Sequence, residues 1–154
     1  MIGNVLPADV NGSANRLLGG LAQSGPDTLQ SERTLMVGRP GRHLAVYPAR
    51  AGYDLQRELD FLSNRAIEQN VFFTGRFLAP AMPRLEDRVI RLAVIRDQSE
   101  QRSRLRFLMP FSIEKPGFSI GATIIRAWSN PFGPLGTPLL DAEDAAETIS
   151  NLYE

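Results

Sequence analysis

Residues 128–141 constrain the fold most, because prolines and glycines interrupt the chain there more densely than a regular element allows. Proline fixes φ and lacks an N–H group, which excludes the interior of a helix or of a central strand. The stretch follows an apolar run and precedes an acidic segment typical of a helix start. Two interpretations remain equal: a ligand-binding loop at a helix N-terminus, or a rigid connector without a ligand. Its breakers are Pro131, Gly133, Pro134, Gly136 and Pro138.

Hydrophobic periodicity predicts mixed helices and strands ahead of this loop. Alternating apolar residues predict a strand from His43 and a second strand over residues 88–97. Residues 105–114 and 122–129 continue the pattern, and three consecutive strands with short turns indicate an antiparallel meander. The interruption at Pro110 predicts an edge, a bulge or a local splay.

Helical spacing precedes the meander. Over residues 53–69, Leu55, Leu59 and Leu62 share one face, and Thr74 is positioned to begin a second, short helix. The predicted order is β-α-α-β-β-β-loop-α. The predicted fold class is α+β, with a mixed, mostly antiparallel sheet flanked by helices.

The distribution of helix- and strand-breaking residues divides the chain into an N-terminal arm and a folded domain. Residues 1–41 contain closely spaced glycines, asparagines and prolines, which predict a flexible or extended N-terminal arm. Residues 42–154 carry the periodic segments and are predicted to form the folded domain.

Charge and residue usage limit the partners. Lys+Arg 17 balances Asp+Glu 17, which disfavours nucleic acid and anionic membranes as the main partner. Cysteine is absent and His43 is the only histidine, so we predict no metal site. No apolar run approaches the roughly 20 residues of a membrane helix, and no secretory signal is evident. We expect a cytoplasmic protein.

Two patches resemble a known family. Residues 70–81 contain Asn70, Phe72 and Phe73 in an Asn-x-Phe-Phe pattern, and residues 132–140 contain an aromatic-Gly-Pro-Leu-Gly-Thr-Pro-Leu pattern. In these patches the chain resembles the N-terminal half of the CelD/BcsL (BioF2-like) branch of GNAT acyltransferases, relatives of the FemAB aminoacyltransferases. The resemblance covers residues 42–154 and implies a GNAT-like domain that is partial, completed by a C-terminal half.

The resemblance implies acetyl-CoA or another acyl-CoA as cofactor in the full-length context. A GNAT cofactor site uses a glycine-rich turn whose N–H groups hold the pyrophosphate. Here Gly133, Gly136 and Thr137 are the candidate cofactor-binding residues. The prolines beside them remove donors, and the acidic residues that follow repel phosphate. We therefore interpret the turn as degenerate.

The resemblance also implies a groove for a small-molecule or amine acceptor. Its candidate lining residues are Asn70, Phe72, Phe73, Arg126, Trp128, Asn130 and Phe132. Core packing explains the aromatic members of this set equally well or better. No spacing singles out a catalytic acid or base.

Three functions follow as expectations, the third being a complete small acyltransferase that uses acyl-CoA directly, with residues 133–137 as its phosphate turn. In the first, the chain is the N-terminal, non-catalytic half of a GNAT-like acyl-CoA-dependent N-acyltransferase, shapes the acceptor groove and is inactive when isolated. In the second, it is a stand-alone binding or assembly module that completes its sheet by self-association with a homo-oligomer partner.

Overall fold

The structure is a computed structural model that describes residues 30–115 and 122–153. Six strands lie in these two ranges: β1 Arg33–Met36, β2 Arg42–Pro48, β3 Ile90–Gln98, β4 Ser103–Glu114, β5 Ile124–Ala127 and β6 Leu139–Leu140. The helices in the same ranges are α1 Ala51–Asp54, α2 Gln56–Ser63, α3 Gly75–Leu85 and α4 Ala145–Ser150, with a 3-10 turn at Val71–Phe73.

The strands form one antiparallel sheet. Its order is β1-β2-β3-β4-β5, and β6 also pairs with β4. Pairs β3–β4 and β4–β5 are the predicted meander. The structure thus confirms the α+β class and the mostly antiparallel sheet.

The sheet is covered on both faces. Ala93, Ile95 and Phe107 lie on one face, where Leu140 and Leu152 pack against them. Side chains alternate along a strand, so Leu92 and Val94 point to the other face.

Helices α1–α3 cover that other face. Arg96 of β3 points to this side and pairs with Glu58 of α2. The predicted apolar face of α2 (Leu55, Leu59 and Leu62) is buried.

The described helices are short. The longest of them, α3, has 11 residues. In the described ranges no helix has the length and apolar character needed to cross a bilayer.

Pro110 lies where β4 changes partners. Phe107 and Leu108 pair with β6, whereas residues 111–114 pair with β5. Proline has no N–H to donate to a neighbouring strand. The interruption predicted at Pro110 therefore lies where the partner of β4 changes from β6 to β5.

Three predicted bounds are wrong. The helix predicted over residues 53–69 divides at Leu55 and ends at Ser63. It ends because the backbone of residues 65–67 bonds to the C-terminal segment instead: Ile67 N–H donates to Leu140 (2.9 Å) and Ala142 N–H donates to Arg65 (2.9 Å). These tertiary hydrogen bonds override the helical period.

The other two differences concern strands. The sheet begins before residue 42, because β1 lies inside the predicted arm and pairs with β2. Residues 1–29 of that arm lie outside the described residues. Strand β6 adds a short element at the end of the proline-rich stretch, just after Pro138.

A β-bulge in β4 sets up the polar end of the sheet. Ile95 pairs with Phe107, whereas the next residue, Arg96, pairs with Leu105. Arg106 is therefore the extra residue on β4. A bulge re-aims the side chain that it carries.

Candidate functional site

The predicted loop and the predicted Asn-Val-Phe-Phe patch meet through the side chain of Asn70. Its Nδ2 donates to the carbonyl oxygens of Leu135 (3.0 Å) and Thr137 (2.9 Å). Its Oδ1 accepts a hydrogen bond from the N–H of Phe72 (3.1 Å). One buried amide thus joins two segments that lie far apart in sequence.

Aromatic packing joins the same two segments. The rings of Phe73 and Trp128 stack with centroids 6.2 Å apart, and both side chains are fully buried. A Cβ on Gly133 would lie 3.1 Å from the ring of Phe72. Because such contacts are tight, a glycine at this position lets the loop lie against Phe72.

The tip of the loop satisfies much of its own hydrogen bonding. Asn130 and Gly133 exchange backbone hydrogen bonds of 3.2 and 3.0 Å. The Oδ1 of Asn130 also accepts from the N–H groups of Phe132 (2.9 Å) and Gly133 (3.0 Å). Two N–H groups that a phosphate would need are therefore engaged within the loop.

The candidate groove residues divide by exposure. Asn70, Phe73, Trp128 and Asn130 are buried, Phe72 is half-buried, and Arg126 and Phe132 are exposed. Two buried donors of this set, Trp128 Nε1 and Asn130 Nδ2, have no acceptor among the described residues.

An ion-pair chain joins Arg88, which precedes β3, to Glu114 of β4 and Arg126 of β5, two residues before Trp128. Glu114 accepts hydrogen bonds from Arg88 (2.6 Å) and Arg126 (3.0 Å). Arg88, followed by Arg126 and Ser112, holds the pKa of Glu114 below its ordinary value, so this half-buried carboxylate stays ionised near neutral pH.

A second polar centre, which the sequence did not indicate, surrounds Asp97. Its carboxylate accepts hydrogen bonds from Arg39, Arg42 and Arg106, each at 2.7 Å. Burial would raise the pKa of Asp97, but these arginines outweigh it and hold the pKa well below the ordinary value. Arg42 is itself fully buried and also donates to Asn151 (3.0 Å).

Asp141 is the third polar centre, and its predicted role as a helix-start charge is wrong. Helix α4 begins at Ala145, and the buried Asp141 carboxylate binds Arg65 (3.0 Å), Arg104 (2.9 Å) and Arg106 (3.3 Å). It also accepts from the N–H of Glu143 (3.0 Å). Since Arg106 binds both Asp97 and Asp141, the bulged residue of β4 links the two centres.

These centres are compensated electrostatically. The carboxylates of Asp97 and Asp141 are each surrounded by arginines, which leaves neither as an unpartnered base. Within the described ranges, no group of three or more His, Cys, Asp or Glu side chains is arranged to hold a metal ion.

Lys115 is the only lysine, so nearly all basic residues of the chain are arginines. Arginine forks suit carboxylates, but the arginines that bind Asp97 and Asp141 lie 9 to 76 residues from them in the chain. Sequence spacing carries no information on such pairs.

Comparisons with known proteins return nothing: no family model matches the sequence, and searches of curated proteins and of solved structures find no match either.

Proposed function

We propose that this chain is the N-terminal, non-catalytic half of a GNAT-like, acyl-CoA-dependent N-acyltransferase and that it shapes the groove for the amine acceptor. The acyl-CoA and the transfer chemistry would belong to a C-terminal half. The α+β fold and the meander ahead of the loop are consistent with such a domain.

The observation that carries the proposal is how the loop uses its N–H groups. Pro131, Pro134 and Pro138 have none, and those of Phe132 and Gly133 are bonded to Asn130. A pyrophosphate is bound by several convergent N–H donors. Only the N–H groups of Leu135, Gly136 and Thr137 remain between Pro134 and Pro138. These three make a poor cradle, which supports a non-catalytic half.

The surroundings of the loop also favour an acceptor over a phosphate. An ammonium group would bind the ionised carboxylate of Glu114 by displacing the exposed side chain of Arg126. The exposed ring of Phe132 supplies an apolar surface. The donors Trp128 Nε1 and Asn130 Nδ2 are buried, so a ligand would reach them only when the loop moves. An amine that also carries hydroxyl groups would satisfy both kinds of partner.

The test uses glucosamine as a probe, with N-acetylglucosamine as the uncharged match. Backbone amide shifts are followed during titration of the whole chain. We expect saturable shifts over residues 128–137 with glucosamine, weaker shifts with N-acetylglucosamine, and no release of CoA thiol when acetyl-CoA is added.

Two variants localise the binding. Glu114→Gln should weaken glucosamine binding, whereas Glu68→Gln, an exposed carboxylate outside the loop, should not. Release of CoA thiol at a sustained rate would show that the chain is itself an enzyme. If glucosamine causes no shifts in residues 128–137, the acceptor-groove proposal is contradicted.

The open edges of the sheet favour a second candidate function, a stand-alone assembly module that completes its sheet by self-association. Among the described residues, β1 and β5 each pair on one side only. Both edge strands expose apolar side chains: Leu35, Met36, Ile124 and Ile125. Such edges are templates for pairing with a second chain.

Sedimentation equilibrium separates the two candidates. The assembly function predicts a dimer that Ile125→Lys on β5 dissociates, with Ile67→Lys as the control, because Ile67 is equally exposed but lies outside the strands. A monomer at all concentrations leaves the acceptor-groove proposal alone.

A further inference from the structure

A cavity of about 620 Å³ opens between α2 and the turn that joins β3 to β4. Its volume suits a small organic molecule. The residues that matter most in its lining are Arg57, Phe61, Arg65, Arg102, Arg104 and Leu105. It is distinct from the tip of the loop. The N–H of Trp128 donates to Pro110 (2.8 Å), and Pro110 lies six residues beyond Arg104 on β4, a separation of about 20 Å in a strand.

The lining is strongly positive. It contains four arginines and one carboxylate, Glu58. That carboxylate is already paired with Arg96 at 3.2 Å. Arg65 and Arg104 are paired with Asp141 and Glu143, so the uncompensated positive charges of the cavity are those of Arg57 and Arg102.

Two of these arginines, Arg65 and Arg104, are fixed by hydrogen bonds to carboxylates outside the cavity lining. Arg65 uses Nη2 for its hydrogen bonds to Asp141 and Glu143. Arg104 uses Nε and Nη2 for the same two carboxylates. The Nη1 groups lie outside these carboxylate contacts, and fixed guanidinium groups lose little entropy when they bind a further oxyanion.

Arg57 and Arg102 carry the positive charges of the cavity that no carboxylate of the described residues neutralises. The exposed side chains of Arg57 and Arg102 form no ion pair with any carboxylate that the structure describes. Arginine recognises a planar oxyanion with two parallel N–H bonds.

The cavity also has an apolar wall. The ring of Phe61 is 60% exposed although it belongs to a helix that buries its other large apolar residues. The guanidinium of Arg65 lies 5.1 Å from the centre of this ring, and Leu105 is buried beside the cavity. A flat ligand is able to stack on Phe61 while its charge meets the arginines.

We propose that this cavity binds a small organic anion, with a flat apolar body on Phe61 and a carboxylate or phosphate group held by Arg57 and Arg102. The site is independent of the acceptor groove. It gives the chain a second, anionic ligand that neither proposed function requires.

The test is a calorimetric titration of the full chain with naphthalene-2-carboxylate, matched to the uncharged naphthalene-2-carboxamide. We expect the carboxylate to bind at least about tenfold more tightly, the usual worth of a charge-assisted pair. 2-Naphthyl phosphate in a parallel titration shows which oxyanion is preferred, and the site is supported when the carboxylate binds more tightly than the carboxamide.

Variants assign the binding to the cavity. The double variant Arg57→Gln, Arg102→Gln should lose that preference for charge, and Phe61→Ala should weaken both ligands. Arg76→Gln, an exposed arginine on α3, is the control and should bind as the parent does. Equal affinity for carboxylate and carboxamide, or unchanged binding in the double variant, would overturn the proposal.

Discussion

Asn70 shows how one side chain organises the candidate site. It is 1% exposed, and its amide engages one N–H and two carbonyl groups. The sequence indicated it only as part of the Asn-x-Phe-Phe pattern and as a candidate groove residue. The structure shows it as the bond between the 3-10 turn and the proline-rich loop, and the loop conformation therefore depends on it.

Asn70→Ala should lower the free energy of unfolding by about 2–4 kcal/mol, because it leaves buried backbone groups without partners. Amide hydrogen exchange in residues 128–137 should accelerate. Urea denaturation and exchange measure the two effects. A loss below about 0.5 kcal/mol, typical of a surface substitution, would show that Asn70 does not hold the loop.

Gly133 and Gly136 of the loop differ in the space that is available for a side chain. A Cβ at Gly133 meets Phe72 at 3.1 Å, whereas at Gly136 the nearest atom is 3.6 Å away. Gly133→Ala should destabilise by about 1–3 kcal/mol through overpacking. Gly136→Ala should be neutral or stabilise by up to about 1 kcal/mol, because its φ is not positive and the unfolded chain loses freedom. Thermal unfolding that gives both variants the same change would contradict this contrast.

At the scale of elements, the bulge in β4 couples the two acid centres. Arg106 donates to both Asp97 and Asp141, and Arg42 shares Asp97 with it. The bulge thus places one guanidinium where the strand, the C-terminal segment and the β1–β2 turn meet.

A double-mutant cycle measures this coupling. Arg42→Met and Arg106→Met should each cost about 3–5 kcal/mol, as expected when one partner of a buried ion pair is removed. The double variant should depart from additivity by more than about 0.5 kcal/mol, because both arginines serve Asp97. Arg42→Met with Arg88→Met, whose partners are Glu86 and Glu114, is the additive control. Additivity in both cycles would mean that the shared carboxylate couples nothing.

Element prediction succeeded where the local pattern decided the outcome. Strands β3 and β4 alternate clearly, and the apolar face of α2 is buried as its spacing requires. The end of α2 could not be read, because Ile67 bonds to Leu140, far along the chain. The arginine–carboxylate centres were equally hidden, since their pairing exists only once the strands are in register.

At the scale of the whole molecule, a balanced charge count conceals a strong pH dependence. The pKa of Asp97 is held below its ordinary value, so the unfolded chain takes up this proton first as the pH falls. The stability that Asp97 contributes is therefore complete above about pH 4 and is lost progressively below it.

Asp97→Asn should remove the loss of stability at acid pH that is due to Asp97. Urea denaturation from pH 7 to pH 2 should show a flatter decline in the variant than in the parent chain, from a lower starting stability. The exposed Glu68→Gln is the control and should keep the parent slope. Parallel slopes for Asp97→Asn and the parent would show that Asp97 is not the group that titrates.

The proposed amine-binding loop and the proposed anion-binding cavity lie at different ends of β4. The two proposals are therefore independent, and an experiment that contradicts one of them does not contradict the other. The absence of a phosphate cradle in the loop is the claim on which the acyltransferase proposal rests.

A calorimetric titration of the folded chain with acetyl-CoA, compared with free CoA, tests that claim most directly. We expect no saturable heat from the loop, and the same result for Gly136→Val. Micromolar binding of acetyl-CoA that Gly136→Val abolishes would contradict it, because the loop would then be a working phosphate cradle.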